Sequence, residues 1–195
     1  MLNKILWIIA AGIVAIMIWP EPEITYGPGV RAPKQPLQTN LSNASGFKHQ
    51  DYTITPLANF SINAKVLSRE NYYSGREADL SPVDFALGWG RMSDESILQH
   101  FDISQRNRWY YWRSDNMPIP RNEISSSSAN MHLIPANNQI KGQLARVKKG
   151  QVISLKGKLV KVNAADGWRW QSSLSRTDTG DGACELIWVE SIRVH

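Results

Sequence analysis

A thiol and an imidazole are the sharpest chemistry this sequence offers. Cys184 is the only cysteine, and a thiolate nucleophile at neutral pH needs a neighbouring base. His132, in the stretch SSSSANMHLIPAN, is the best candidate among four histidines, with Asn130 or Glu185 able to orient it. The pair lies 52 positions apart, and each residue falls on a predicted strand, so a sheet can bring them together. The surroundings of Cys184 argue the other way. It opens the apolar run CELIWV, where alternation with Leu186 and Trp188 marks a small core residue. His132 alternates with Met131 and Leu133, which puts it with Asn130 on the opposite face of a short strand. A hydrolase or transferase built on Cys184, His132 and Asn130 is therefore the second reading of this sequence.

Other chemistries are poorly served. DTG at Asp178–Gly180 matches the aspartic protease triplet, but that reaction needs two carboxylates sharing a proton. Here the triplet sits in RTDTGDG, a run of turn-forming residues. His49, His100, His132 and His195 show no ligand spacing, and one cysteine cannot build a zinc knuckle. No phosphate loop, dinucleotide fingerprint or nucleophile elbow is present. No metal or cofactor is expected.

Binding residues are better represented. Arg108, Trp112, Arg113, Arg169 and Trp170 belong to two predicted strands in which aromatic and basic side chains interleave. Such sets stack on bases, sugars or lipid headgroups. Trp109, Tyr111 and Trp168 are assigned to the core, and Arg169 and Trp170 to the surface.

The chain is basic, with 22 Lys and Arg against 17 Asp and Glu. Lys141, Arg146, Lys148, Lys149, Lys156, Lys158, Lys161 and Arg169 crowd residues 139–170 against Asp166 alone, whereas residues 77–102 are acidic. Such asymmetry suits a solvated face or attraction to an anionic surface. The N-terminus explains which surface. Ile5 to Trp19 runs without a polar side chain, Trp7 and Trp19 bracket it, and Lys4 precedes it. The pattern predicts an uncleaved transmembrane signal anchor over residues 1–20, with the N-terminus cytoplasmic. Residues 21–50, rich in Pro, Gly, Asn and Ser, read as a flexible linker. Residues 51–195 form the exported domain.

Within it, YTITPLANFSINAKVL alternates as a strand. SPVDFALG, with Ser81 as N-cap and Pro82 first in the helix, predicts a helix, and a second follows at MSDESILQHF. SANMHLIP reads as a strand, and Asn137 or Asn138 caps a helix ending at Gly150. Three strands close the chain: QVISLKGKLVKV, WRWQSSL and CELIWVESIRV. The expected fold class is α+β: a transmembrane helix, then a small curved antiparallel sheet or partly open barrel of the OB or SH3-like kind, with two or three short helices.

The strings LSPVDFALGWGRMSD, ISQRNRWYYWR, SANMHLIPA and GWRWQSSLSRTDTGDGACELIWVE together resemble a family of bacterial, membrane-anchored proteins of unknown function, over about Tyr52 to Ile192. The resemblance implies a bacterial source and an envelope location, and assigns no catalytic residue. The resulting expectation is a bacterial inner-membrane protein with a periplasmic C-terminal domain, which binds or scaffolds envelope components without catalysis. Its expected partners are the membrane and an envelope protein or anionic lipid surface; an OB-like nucleic-acid binder is the weakest alternative.

Overall fold

The computed structural model describes residues 24–175 and 184–195. The elements run β1 Leu37–Asn40, β2 Phe47–His49, β3 Tyr52–Asn71, α1 Arg76–Leu80, β4 Val83–Gly88, α2 Glu95–Leu98, β5 Asp102–Arg106, β6 Trp109–Arg113, α3 Arg121–Ser127, β7 Ser128–Pro135, α4 Asn138–Arg146, β8 Val152–Ala164, β9 Arg169–Gln171 and β10 Glu185–Val194.

Five of these strands close into a ring. β3 pairs β4, β4 pairs β7, β7 pairs β10, β10 pairs β8, and β8 returns to β3. β7 and β10 run parallel; the other four pairs are antiparallel. β3 serves both ends of the ring because it is long and twice interrupted. Its register shifts between Pro56 and Ala58, and again between Val66 and Ser68. Proline has no N–H for a ladder and tolerates such a site. The first shift also exchanges faces, as a bulge must: Tyr52 and Ile54 pack outside the ring, while Ala58, Phe60, Ile62, Ala64 and Val66 pack inside.

The interior takes Val83, Phe85 and Leu87 from β4, Met131 and Leu133 from β7, and Ile187 and Val189 from β10. Ile140, Leu144 and Val147 of α4 and its C-cap join this core. Outside lie two smaller apolar clusters. One gathers Leu80, Ile134, Val160, Val162 and Leu186 under Trp168, Trp170 and Trp188. The other gathers Leu67, Ala86, Met92, Ile119 and Ile124 under Tyr110 and Trp112 of the β5–β6 hairpin.

This corrects the expected α+β class. Strands hold 48% of the described residues and helices 18%. The ring is closed where a partly open OB or SH3-like barrel was expected, and the β7–β10 pair makes it more than an antiparallel sheet. SPVDFALG is the central strand β4 and not a helix: all six of its strand residues are buried, because the hairpin and loops cover its outer face. Without an exposed face the strand shows no polar alternation, and the Ser-Pro start dominated the local signal. Residues 24–50, expected as a linker, instead form β1 and β2 on β3, and Ala32 is buried in the main core. Among the described residues no helix is long and apolar enough to cross a membrane. The span expected over residues 1–20 and the turn RTDTGDG at 176–182 lie outside the described residues.

Candidate functional site

Asp84 and His132 are cross-strand neighbours on β4 and β7. Their flanking residues Val83, Phe85, Met131 and Leu133 point inward, so strand alternation sends both polar side chains to the outer face, between the two outer apolar clusters. His132 Nδ1 lies 2.8 Å from Asp84 Oδ2. A carboxylate only accepts, so Nδ1 carries the proton.

The other Asp84 oxygen receives Arg108. Its Nη1 donates to Asp84 Oδ1 at 2.7 Å and to the Ser81 carbonyl at 2.9 Å, and its Nε is 3.6 Å from Glu77 Oε2. Arg108 comes from the two-residue turn Asn107–Arg108 between β5 and β6, where both residues have positive φ, 53° and 69°. Such turns match hairpin twist and favour glycine; an arginine there stores backbone strain and persists only where its surroundings hold it. Here it is held on several sides. The guanidinium lies 3.6 Å from the centroid of the Tyr72 ring and 5.6 Å from that of Trp170. The Arg108 N–H donates to Tyr72 Oη at 2.9 Å, and the Arg108 carbonyl accepts from Asn130 Nδ2 at 2.9 Å. Burial first, and the Asp84 charge second, push the Tyr72 phenol up to about 12.

Above this buried network lies a cleft of about 500 Å³ lined by Tyr72, Ser74–Glu77, Asn107, Arg108 and Trp168. Arg76 stacks on Trp168 at 5.3 Å and pairs with Asp166. Rings continue from Trp168 to Trp170 at 6.1 Å, and from Trp170 to His132 at 4.9 Å. The cleft thus joins three loops, β3–β4, β5–β6 and β8–β9.

The expected site residues are only partly united. Arg108 and Trp170 meet at the network, with Trp170 half-buried on His132 where a surface position was expected. Arg169 is its exposed neighbour on β9. Trp112 packs on Phe101 in the hairpin cluster, and Arg113 is 80% exposed beside Asp102; three and four residues of extended strand, respectively, separate them from Arg108. Tyr111, expected in the core, is exposed. Of the nucleophilic trio, Cys184 and Asn130 converge on the carbonyl of Arg108, with Cys184 Sγ 4.0 Å from its oxygen. Asn130 also accepts from Gln105 and so anchors the hairpin instead of orienting His132, whose ring partner is Asp84. His132 itself is 4% exposed. Asp84 and Tyr72 were missed by sequence reasoning; a charged residue inside a run as apolar as VDFAL was the available signal for Asp84. Among the described residues no group of three or more His, Cys, Asp or Glu could hold a metal ion. No family model, curated protein or solved structure matches this chain.

Proposed function

We propose that the chain is a non-catalytic binding module of the bacterial envelope that takes an envelope component in the cleft above Arg108. The observation that carries this reading is the cleft's construction: the Arg76 guanidinium stacked on Trp168 and polar edges from Ser74, Glu77 and Asn107, on a floor rigidified by the Arg108–Asp84–His132 network. Sites built this way bind by stacking and directed hydrogen bonds. The cations are already balanced, Arg76 by Asp166 and Arg108 by Asp84 and Glu77. This favours a neutral, polar ligand with a flat face over an anion. It also favours binding over chemistry, since Asp84 and Trp170 occupy two sides of the His132 ring. The apolar N-terminal run and the resemblance to membrane-anchored proteins support the envelope location.

The test places a photo-crosslinking residue at Ser74 or Asn107 of the full chain in bacterial membranes, with Lys34 on another face as control. One component captured at the first two positions, persisting in 0.5 M salt, is the expected result. Trp168→Ala abolishes it and Cys184→Ser leaves it unchanged. Equal capture at Lys34, or loss with Cys184→Ser, overturns the reading.

A further inference from the structure

The chain leaves its described part at a fixed point on the barrel. Ile24 lies over Gly150, where a β-carbon on residue 150 would overlap the Ile24 carbonyl oxygen. Tyr26 N–H donates to Glu95 at 2.7 Å, and Tyr26 Oη reaches the His195 carbonyl at 3.3 Å. Gly29 N–H donates to Asp94, and Arg31 and Ala32 N–H both donate to Ser93 Oγ. The end of α4, the start of β8 and the end of β10 therefore share one face with the departing chain.

That face is basic and edged with apolar side chains. Arg31, Arg146, Lys148, Lys149 and Arg193 are exposed, as are Tyr26 and Val194. Lys65 is buried below them on Glu95 at 2.6 Å. Lys65 and Glu95 cancel as a pair, so the five exposed cations face Asp94 and, in the intervening sequence, Glu21 and Glu23. Among the described residues neither Arg146 nor Arg193 has an ion-pair partner. Pro20 to Glu23 separate the apolar run ending at Trp19 from Ile24, a gap the chain spans in at most about 18 Å.

We infer that this face docks on anionic phospholipid headgroups, and that the docking sets the orientation of the whole domain. The inference rests on the reading that the apolar N-terminal run lies in a membrane. A basic surface with tyrosine and valine at its edge matches the charge and polarity gradient of a headgroup layer, and the tether holds it there. β8 then runs from Val152, next to this face, to Ala164, next to the Trp168 turn. Thirteen residues of strand rise about 40 Å, so the cleft is carried away from the bilayer and opens toward the compartment.

The test uses the full chain with Cys184→Ser, carrying a fluorophore at Val194→Cys or at Tyr73→Cys. It is incorporated into vesicles of phosphatidylcholine alone or mixed with phosphatidylglycerol, and fluorescence is quenched by a headgroup-attached quencher. The expected result is strong quenching at position 194 in the mixed vesicles only, with none at position 73. Molar salt removes it, and Arg146→Glu with Arg193→Glu weakens it about tenfold. Equal quenching at 194 in both vesicles, or quenching at 73 as strong as at 194, overturns the docking while co-flotation keeps the membrane reading intact. Failure to co-float with either vesicle overturns both.

Discussion

Arg108 carries a backbone conformation that arginine disfavours and a side chain that Asp84 needs, and the two effects are separable by substitution. A left-handed non-glycine residue costs on the order of 1–3 kcal/mol, so Arg108→Gly relieves strain at the turn. The same change strands Asp84, whose side chain is fully buried, and removing one partner of a buried pair costs about 3–5 kcal/mol. The second effect is larger. Arg108→Gly therefore destabilises by about 2 kcal/mol, read as a lower urea midpoint, and Asp84→Asn in that background recovers part of the loss. An Arg108→Gly protein more stable than wild type would show that the ion pair does not hold the turn. The same network governs Tyr72. Its folded pKa is raised to about 12, so its contribution is complete below the unfolded value of about 10 and is lost as pH rises from there toward 12. Spectrophotometric titration should find Tyr72 still protonated at pH 10, together with Tyr110, which burial also raises to about 12. Tyr72→Phe removes one of these late-titrating phenols and reduces the alkaline loss of stability.

At the scale of elements, the attachment of residues 24–32 depends on the start of α2. Hydrogen bonds from the Ser96 hydroxyl first, and then the Gly29 N–H, hold Asp94 below its ordinary value. Burial pushes Glu95 up, but the Lys65 ammonium and the Tyr26 N–H outweigh it and leave its carboxyl lowered too. Both folded values are depressed, so this stabilisation is present above the unfolded pKa of about 4 and is lost as pH falls through the lowered values. Hydrogen exchange at low pH should show Tyr26 and Gly29 amides opening before the β3–β8 ladder; simultaneous opening would show that the segment is held by other means. The same elements show what the sequence made legible. Helix α4 was readable because its signal is local: Asn137 Oδ1 accepts from Ile140 N–H at 2.9 Å. β7 was readable from Met131 and Leu133 alternating with Asn130 and His132. β4 was not, since burial on both faces erased its alternation. The site failed for a different reason. The partner of His132 is 48 positions away, and Arg108 carries none of the turn signal that a glycine at its position would have given.

For the whole molecule, closure of the ring depends on how closely β8 and β10 approach. β10 shifts register between Val189 and Ser191, beside Gly157, where a β-carbon would overlap the Trp188 carbonyl oxygen. The partner of Gly157 on β3 is Phe60, which packs in the interior core. Gly157 is thus the point where three strands of the ring and its core meet. Gly157→Ala must push β8 from β10 or displace backbone, and overpacking of this kind costs about 1–3 kcal/mol. Because β10 also forms the parallel pair with β7, the loss is shared around the ring and does not stay at one edge. Gly157→Ala should therefore lower the urea midpoint as a single transition at unchanged slope. Gly142→Ala, on α4 where nothing lies within 4 Å, should raise it slightly by favouring the helix. A second, earlier transition in Gly157→Ala would mean that the β10 edge opens on its own and that the ring is not one cooperative unit.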